Sequence, residues 1–132
     1  MMMYNAKQEQ YLKVKVETAS PGELTLLLYQ EMVKSLQKAK QLFSQSQLDE
    51  MKRCIYKVRD ILNELTITLN MDYAIARELH DLYMFYQRHL TNFIINRNEQ
   101  LLDDVLEFAR EMAETWKQAL LIVRKGGQHA SV

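Results

Sequence analysis

The feature that most constrains this sequence is an apolar stripe between residues 48 and 69. Large apolar residues recur there in alternating steps of three and four: Leu48, Met51, Ile55, Val58, Leu62, Leu65 and Leu69. This spacing returns side chains to one face of an α-helix. Because a single helix cannot bury such a face alone, the stripe requires partner helices.

Three further segments show the same period. Ahead of the first, Ser20 is placed to be the N-cap, Pro21 the first helical residue and Glu23 the third residue of a capping box. The stripes are Leu24, Leu28, Met32, Leu36, Ala39 and Phe43; then Ala76, Leu79, Tyr83, Tyr86, Leu90 and Phe93; then Leu102, Val105, Ala109, Met112, Trp116, Ala119 and Val123. The sequence therefore predicts four helices.

The connections predict how these helices are arranged. Residues 44–47 and 96–98 are polar, Asn70 and Asp72 supply turn chemistry between the second and third helices, and Gly126 with Gly127 ends the last helix. We expect Ser46 to cap the second helix, and Asn96 or Asn98 to cap the fourth. Since short connections make neighbouring helices antiparallel, the predicted fold is all-α, an antiparallel up-and-down four-helix bundle with an N-terminal arm or short helix.

Length and composition bound the domain organisation and the class of partner. The 132 residues suit one domain, which we place at residues 18–127, between an arm at 1–17 and a tail at 128–132. Lys and Arg balance Asp and Glu at 17 each, so no basic field favours nucleic acid. The lone Cys54, and the lack of both a signal peptide and a membrane-length apolar run, predict a cytosolic protein without membrane insertion.

Candidate chemistry is sparse. A di-iron bundle would need Glu-x-x-His pairs, but the residues three before His80, His89 and His129 are Arg77, Tyr86 and Gly126. Cys54 has no histidine at a metal-ligand or catalytic spacing, and no glycine-rich phosphate loop occurs. We therefore predict no enzymatic activity, no catalytic or metal-binding residues and no cofactor.

The informative feature is a surplus of apolar residues. Residues 82–86 are five consecutive apolar or aromatic residues, which wind round a helix at about 100° per residue. Residues 26–29 overfill the first helix in the same way, and Ile61 and Ile67 lie outside the stripe of the second. Irregular packing that buries them is one interpretation. A partner-binding surface, covered by arm residues Tyr11, Val14 and Val16 when the partner is absent, is the other.

Several motifs resemble a known family. The run TASPGELT at residues 18–25, preceded by Tyr11 and Val16, is similar to the beginning of the FliS family of flagellar secretion chaperones. Further agreement comes from LNMDY at 69–73, from Leu82-Tyr83 followed by Arg88 and Leu90, and from WKQA at 116–119. The resemblance covers about residues 11–120.

The resemblance implies a fold and a function. Members form a helical bundle, act in the cytosol and bind the C-terminal segment of new flagellin. They thereby prevent premature polymerisation and aid delivery to the FlhA component of the flagellar type III export apparatus. A one-to-one flagellin complex is expected. The resemblance does not decide whether the free protein forms a weak homodimer. The alternative is a self-associating structural bundle without a flagellin client.

We expect the flagellin surface to include large apolar groups from three helices, although core packing explains each of them equally well. These residues are Tyr29, Ile61, Leu65, Ile75, Leu79, Leu82, Tyr83, Phe85 and Tyr86. Trp116 is expected in the core.

Overall fold

Four α-helices follow one another in a computed structural model of the protein, which describes Gln10 and residues 21–126. They are α1 (Pro21–Ser44), α2 (Leu48–Ile67), α3 (Ala74–Asn96) and α4 (Glu99–Gly126), and residues 21–126 contain no strand. α1 and α3 each pack against α2 and α4, so α1 and α3 are diagonally opposite. The predicted all-α four-helix bundle is confirmed. Ser20, Tyr11, Val14, Val16 and the tail lie outside the described residues.

Contacts between neighbouring helices show that they run antiparallel. Between α1 and α4, the Lys40 ammonium lies 2.5 Å from Asp103 Oδ1 near one end of the bundle. At the other end, Arg124 Nη2 lies 3.2 Å from Glu23 Oε1. The start of α1 therefore meets the end of α4, as the up-and-down connectivity requires.

The connection from α1 to α2 corrects one prediction. Ser46 adopts a left-handed φ of 58°, and its N–H donates to the Phe43 carbonyl at 3.1 Å. The Gln47 N–H donates to the Leu42 carbonyl at 2.9 Å, which completes a Schellman motif. Ser46 thus terminates α1. Gln47 directly precedes α2 without a side-chain cap, so the prediction that Ser46 caps α2 was wrong.

The other two connections use the predicted asparagines. The Asn70 side chain accepts from the Asp72 N–H at 3.1 Å, which closes the turn before α3. Asn98 Oδ1 accepts from the Gln100 N–H at 3.1 Å and so caps α4. Asn96 instead stabilises the turn, since its Oδ1 accepts from the Asn98 N–H at 2.8 Å.

The apolar stripes form one continuous core. From α2, five of the seven stripe residues are buried: Met51, Ile55, Val58, Leu62 and Leu65. The two ends of the stripe differ, because Leu48 is exposed at the first turn and Leu69 lies beyond the helix, half-buried in the following turn. The spacing predicted the helix correctly, but its last member, Leu69, lies two residues beyond the end of α2 at Ile67.

Candidate functional site

An exposed apolar line on α3 is the main candidate for a binding surface. Ile75, Leu82 and Phe85 are 51%, 40% and 44% exposed. Residues seven positions apart point almost the same way on a helix, and a further step of three stays on that side. The line borders α4, because the neighbouring Tyr86 stacks on Phe108 at 4.2 Å between ring centroids. We call these three residues the α3 line.

The structure divides the nine predicted binding residues into two groups. Five of them are core residues: Tyr29, Ile61, Leu65, Leu79 and Tyr83. The α3 line and the half-buried Tyr86 make up the remainder. The nine residues therefore do not form one open surface in this conformation, and only the second group is accessible to a partner without rearrangement of the core.

Two of the buried residues interact across the bundle. The hydroxyl groups of Tyr29 and Tyr83 hydrogen-bond to each other, and both side chains are buried. Burial disfavours the phenolate and raises the pKa of both tyrosines above the usual value. Because the two hydroxyls bond to each other, each has the hydrogen-bonding partner that a polar group needs in an apolar core.

Beside the α3 line, aromatic and acidic side chains enclose a hollow between α3 and α4 of about 300 Å³. Tyr86 packs edge-on to Phe85, with centroids 5.1 Å apart. His89 approaches Asp104, with Nε2 to Oδ2 at 3.4 Å. Burial, followed by the charges of Asp104 and Glu111, raises the pKa of Tyr86, so its hydroxyl remains a neutral hydrogen-bonding group.

Further apolar residues that we did not include in the predicted site gather at the end of the bundle where α2 ends and α3 begins. Ile67 is 76% exposed at the end of α2, and Met71 and Tyr73 are exposed in the turn before α3. A cavity of about 150 Å³ opens nearby, between α1, α2 and α3. The sequence signalled Ile67, which lies off the stripe, whereas periodicity cannot place turn residues such as Met71.

Trp116 is buried, as predicted, and also connects two helices. Its indole N–H donates to the Gly22 carbonyl at 2.7 Å. That carbonyl belongs to the first turn of α1, so the bond fixes the start of α1 against α4. Sequence pattern predicted the burial of the ring but not this partner.

Two features are absent from the part of the chain that the structure describes. No helix there has the length and apolar character needed to cross a membrane. No group of three or more His, Cys, Asp or Glu side chains there is arranged to hold a metal ion.

Comparison with known proteins decides the family. The family described as "Flagellar protein FliS" matches residues 3–122, which is nearly the whole chain. The chain belongs to the FliS family. The family resemblance read from the TASPGELT run is thus confirmed.

Two FliS relatives agree with this assignment. The flagellar secretion chaperone FliS of Bacillus subtilis (strain 168) is 30% identical over 115 residues, which cover 87% of this chain and 86% of the relative. The flagellar secretion chaperone FliS of Vibrio cholerae serotype O1 is 30% identical over 114 residues, which cover 82% of this chain and 84% of the relative. Membership of FliS makes this chain a flagellar secretion chaperone, in a family of non-enzymatic proteins.

Proposed function

We propose that this chaperone binds the C-terminal segment of flagellin in the cytosol, as a one-to-one complex. Binding prevents premature polymerisation, and the complex is then delivered to the FlhA component of the export apparatus. Family membership supports the export role. We place the binding site at the α3 line, because Ile75, Leu82 and Phe85 are large apolar groups that the bundle leaves exposed.

The mechanism follows from the shape of this surface. An amphipathic segment that becomes helical can lay apolar residues at spacings of three, four and seven along the α3 line. The nearby Tyr86 ring, which stacks on the buried Phe108, extends the apolar contact, and the Tyr86 hydroxyl offers one polar contact. The segment is then held in a helical form on the chaperone and is kept from other flagellin molecules.

The energetics suit a complex that must later separate. A disordered segment that folds on binding loses conformational entropy, which offsets part of the gain from apolar burial. This ordering typically costs about 2–5 kcal/mol of the gross interaction energy. The complex is then specific but remains dissociable at the export apparatus, without a nucleotide.

The test is direct. The purified protein is mixed with a peptide from the C-terminus of its own organism's flagellin, at micromolar concentration. We expect co-elution, a mass equal to one chain plus one peptide, and a gain in helicity measured by circular dichroism. No binding at that concentration would contradict the proposal, and self-association without binding would favour the structural-bundle alternative.

A further inference from the structure

A second surface lies between α1 and α4, away from the α3 line. The two helices leave a groove of about 540 Å³ between them. Val33 from α1 and Ala113 from α4 are half-buried apolar residues of its lining. Lys34, Arg110 and Lys117 also line it, with one carboxylate, that of Glu114.

Contacts at both ends hold the groove in shape. Lys40 and Asp103 form an ion pair at 2.5 Å near one end of the α1–α4 contact. Near the other end, the Trp116 indole donates to the Gly22 carbonyl at 2.7 Å. Because the helices are joined on either side of the groove, it is a pre-formed feature of the bundle. A pre-formed site binds without a cost of reorganisation.

The lining of this groove carries three cations against one carboxylate. Arg110 and Lys117 are exposed and make no hydrogen bond or ion pair with any residue that the structure describes. Lys34 Nζ lies 4.0 Å from Glu31 Oε2, which is the outer limit for an ion pair. Glu114 accepts a hydrogen bond from the Gln118 amide at 2.9 Å. In a chain of zero net charge, the groove is therefore a local region of positive potential.

We infer that the α1–α4 groove binds an acidic, amphipathic segment of a partner protein. One apolar side chain of the segment packs on Val33 and Ala113. Carboxylates on either side of that residue meet Arg110 and Lys117, and the arginine fork can hold one carboxylate through two parallel hydrogen bonds. The inference goes beyond flagellin binding, because the groove shares no residue with the α3 line.

The experiment uses the full chain and two synthetic probes. The acidic probe is a capped peptide of about 18 residues, long enough for a helix, with leucine at helical spacing and glutamate elsewhere. The second probe carries lysine in place of each glutamate. We expect the acidic probe alone to bind and to shift the NMR signals of the Val33 and Ala113 methyl groups. Binding should weaken as salt is raised, since exposed charges are screened.

Matched double variants locate the site. Arg110→Glu with Lys117→Glu should weaken binding of the acidic probe at least roughly tenfold. Lys38→Glu with Arg53→Glu changes the net charge equally at exposed positions outside the groove, and should leave affinity within about twofold. If the first variant does not fold, Arg110→Gln with Lys117→Gln replaces it and should also weaken binding.

Three results would overturn the inference. The first is equal loss of affinity in both double variants, since attraction would then depend on net charge alone. The second is binding without shifts at Val33 and Ala113. The third is preferential binding of anionic phospholipid vesicles through Arg110 and Lys117, which would make the groove a membrane contact instead of a protein site.

Discussion

The hydroxyl groups of Tyr29 and Tyr83 meet in a hydrogen bond that joins the two helices lying diagonally opposite in the bundle. Tyr29 lies on α1 and Tyr83 on α3, and both are 1% exposed. A second diagonal contact is apolar, since the Phe43 and Phe93 rings pack edge-to-face at 5.2 Å. The tyrosine pair is thus a polar link within a largely apolar core, and it fixes the relative height of α1 and α3.

The first prediction concerns this pair. Tyr29→Phe or Tyr83→Phe leaves the other hydroxyl buried without its partner, so each single variant should lose about 1–3 kcal/mol of unfolding free energy. The double variant removes both polar groups and should lose less than the sum of the singles. Urea denaturation of the four proteins measures the coupling. Additive losses would show that the two hydroxyls do not depend on each other.

The second prediction concerns alkaline pH. Burial raises the pKa of both tyrosines in the folded protein, whereas in the unfolded chain they ionise near pH 10. The folded state therefore retains protons that the unfolded state loses, so this stabilisation is complete below about pH 10 and declines above it. The decline is about 1.4 kcal/mol per pH unit for each tyrosine.

Tyrosinate absorbance combined with circular dichroism tests this pH dependence. Two of the tyrosines should ionise only as the helices melt. The double Phe variant is the control, because it should show a shallower loss of stability above pH 10. Ionisation of every tyrosine before any loss of helicity would contradict the prediction.

The third prediction concerns the contact between α1 and α4. Trp116→Phe keeps an aromatic ring but removes the indole N–H that donates to the Gly22 carbonyl. The loss of this hydrogen bond and the smaller ring should together lower the unfolding free energy by about 1–3 kcal/mol. Thermal and urea denaturation measure the loss. Hydrogen exchange should also become faster in the first turn of α1, and an effect spread evenly over all helices would contradict the local role.

The fourth prediction separates binding from folding. Leu82→Glu places a charge in the α3 line and should weaken the flagellin-peptide complex at least tenfold, with little change in stability, because the side chain is already 40% exposed. Ile95→Glu is the matched control on the same helix, since Ile95 is 75% exposed and lies on another side of α3. Calorimetric titration compares the two variants, and equal weakening would remove the α3 line from the binding site.

Glutamate at a core position gives a different outcome on the same helix. Tyr83 and Leu79 are buried, so Tyr83→Glu and Leu79→Glu should unfold the bundle, because an unpaired charge in the core is strongly unfavourable. Circular dichroism would show the loss of helix directly. Native helicity in these variants would mean that the two side chains can reach solvent.

The bundle was readable from the sequence because helical spacing reports burial directly. The α2 stripe predicted which face would be buried, and five of its members from Met51 to Leu65 are in the core. The roles of the connecting residues were predicted less accurately. Serine is a common N-cap residue. The backbone hydrogen bonds at the end of α1 instead make Ser46 a left-handed residue that terminates α1. Local sequence does not show which of two adjoining helices a connecting residue will serve.

The candidate site was harder to predict for a related reason. Large apolar side chains suit both a core and a groove, so composition could not distinguish buried Tyr83 from exposed Leu82, its neighbour in the chain. The distinction depends on the rotation of α3 about its axis, which packing against α2 and α4 determines. The α1–α4 groove was missed because its residues form no pattern within one segment and come together only when two distant helices meet.

The arrangement of helices also has a consequence for motion. α3 makes smaller contacts with α2 and α4 than α1 does, and it carries the exposed line. Elements held by fewer contacts open at lower free energy than the rest of a protein. Amide exchange in α3 should therefore be the fastest among the helix centres. In the proposed flagellin complex, a helix held this lightly is free to shift its tilt against the bound segment, while α1, α2 and α4 hold their positions.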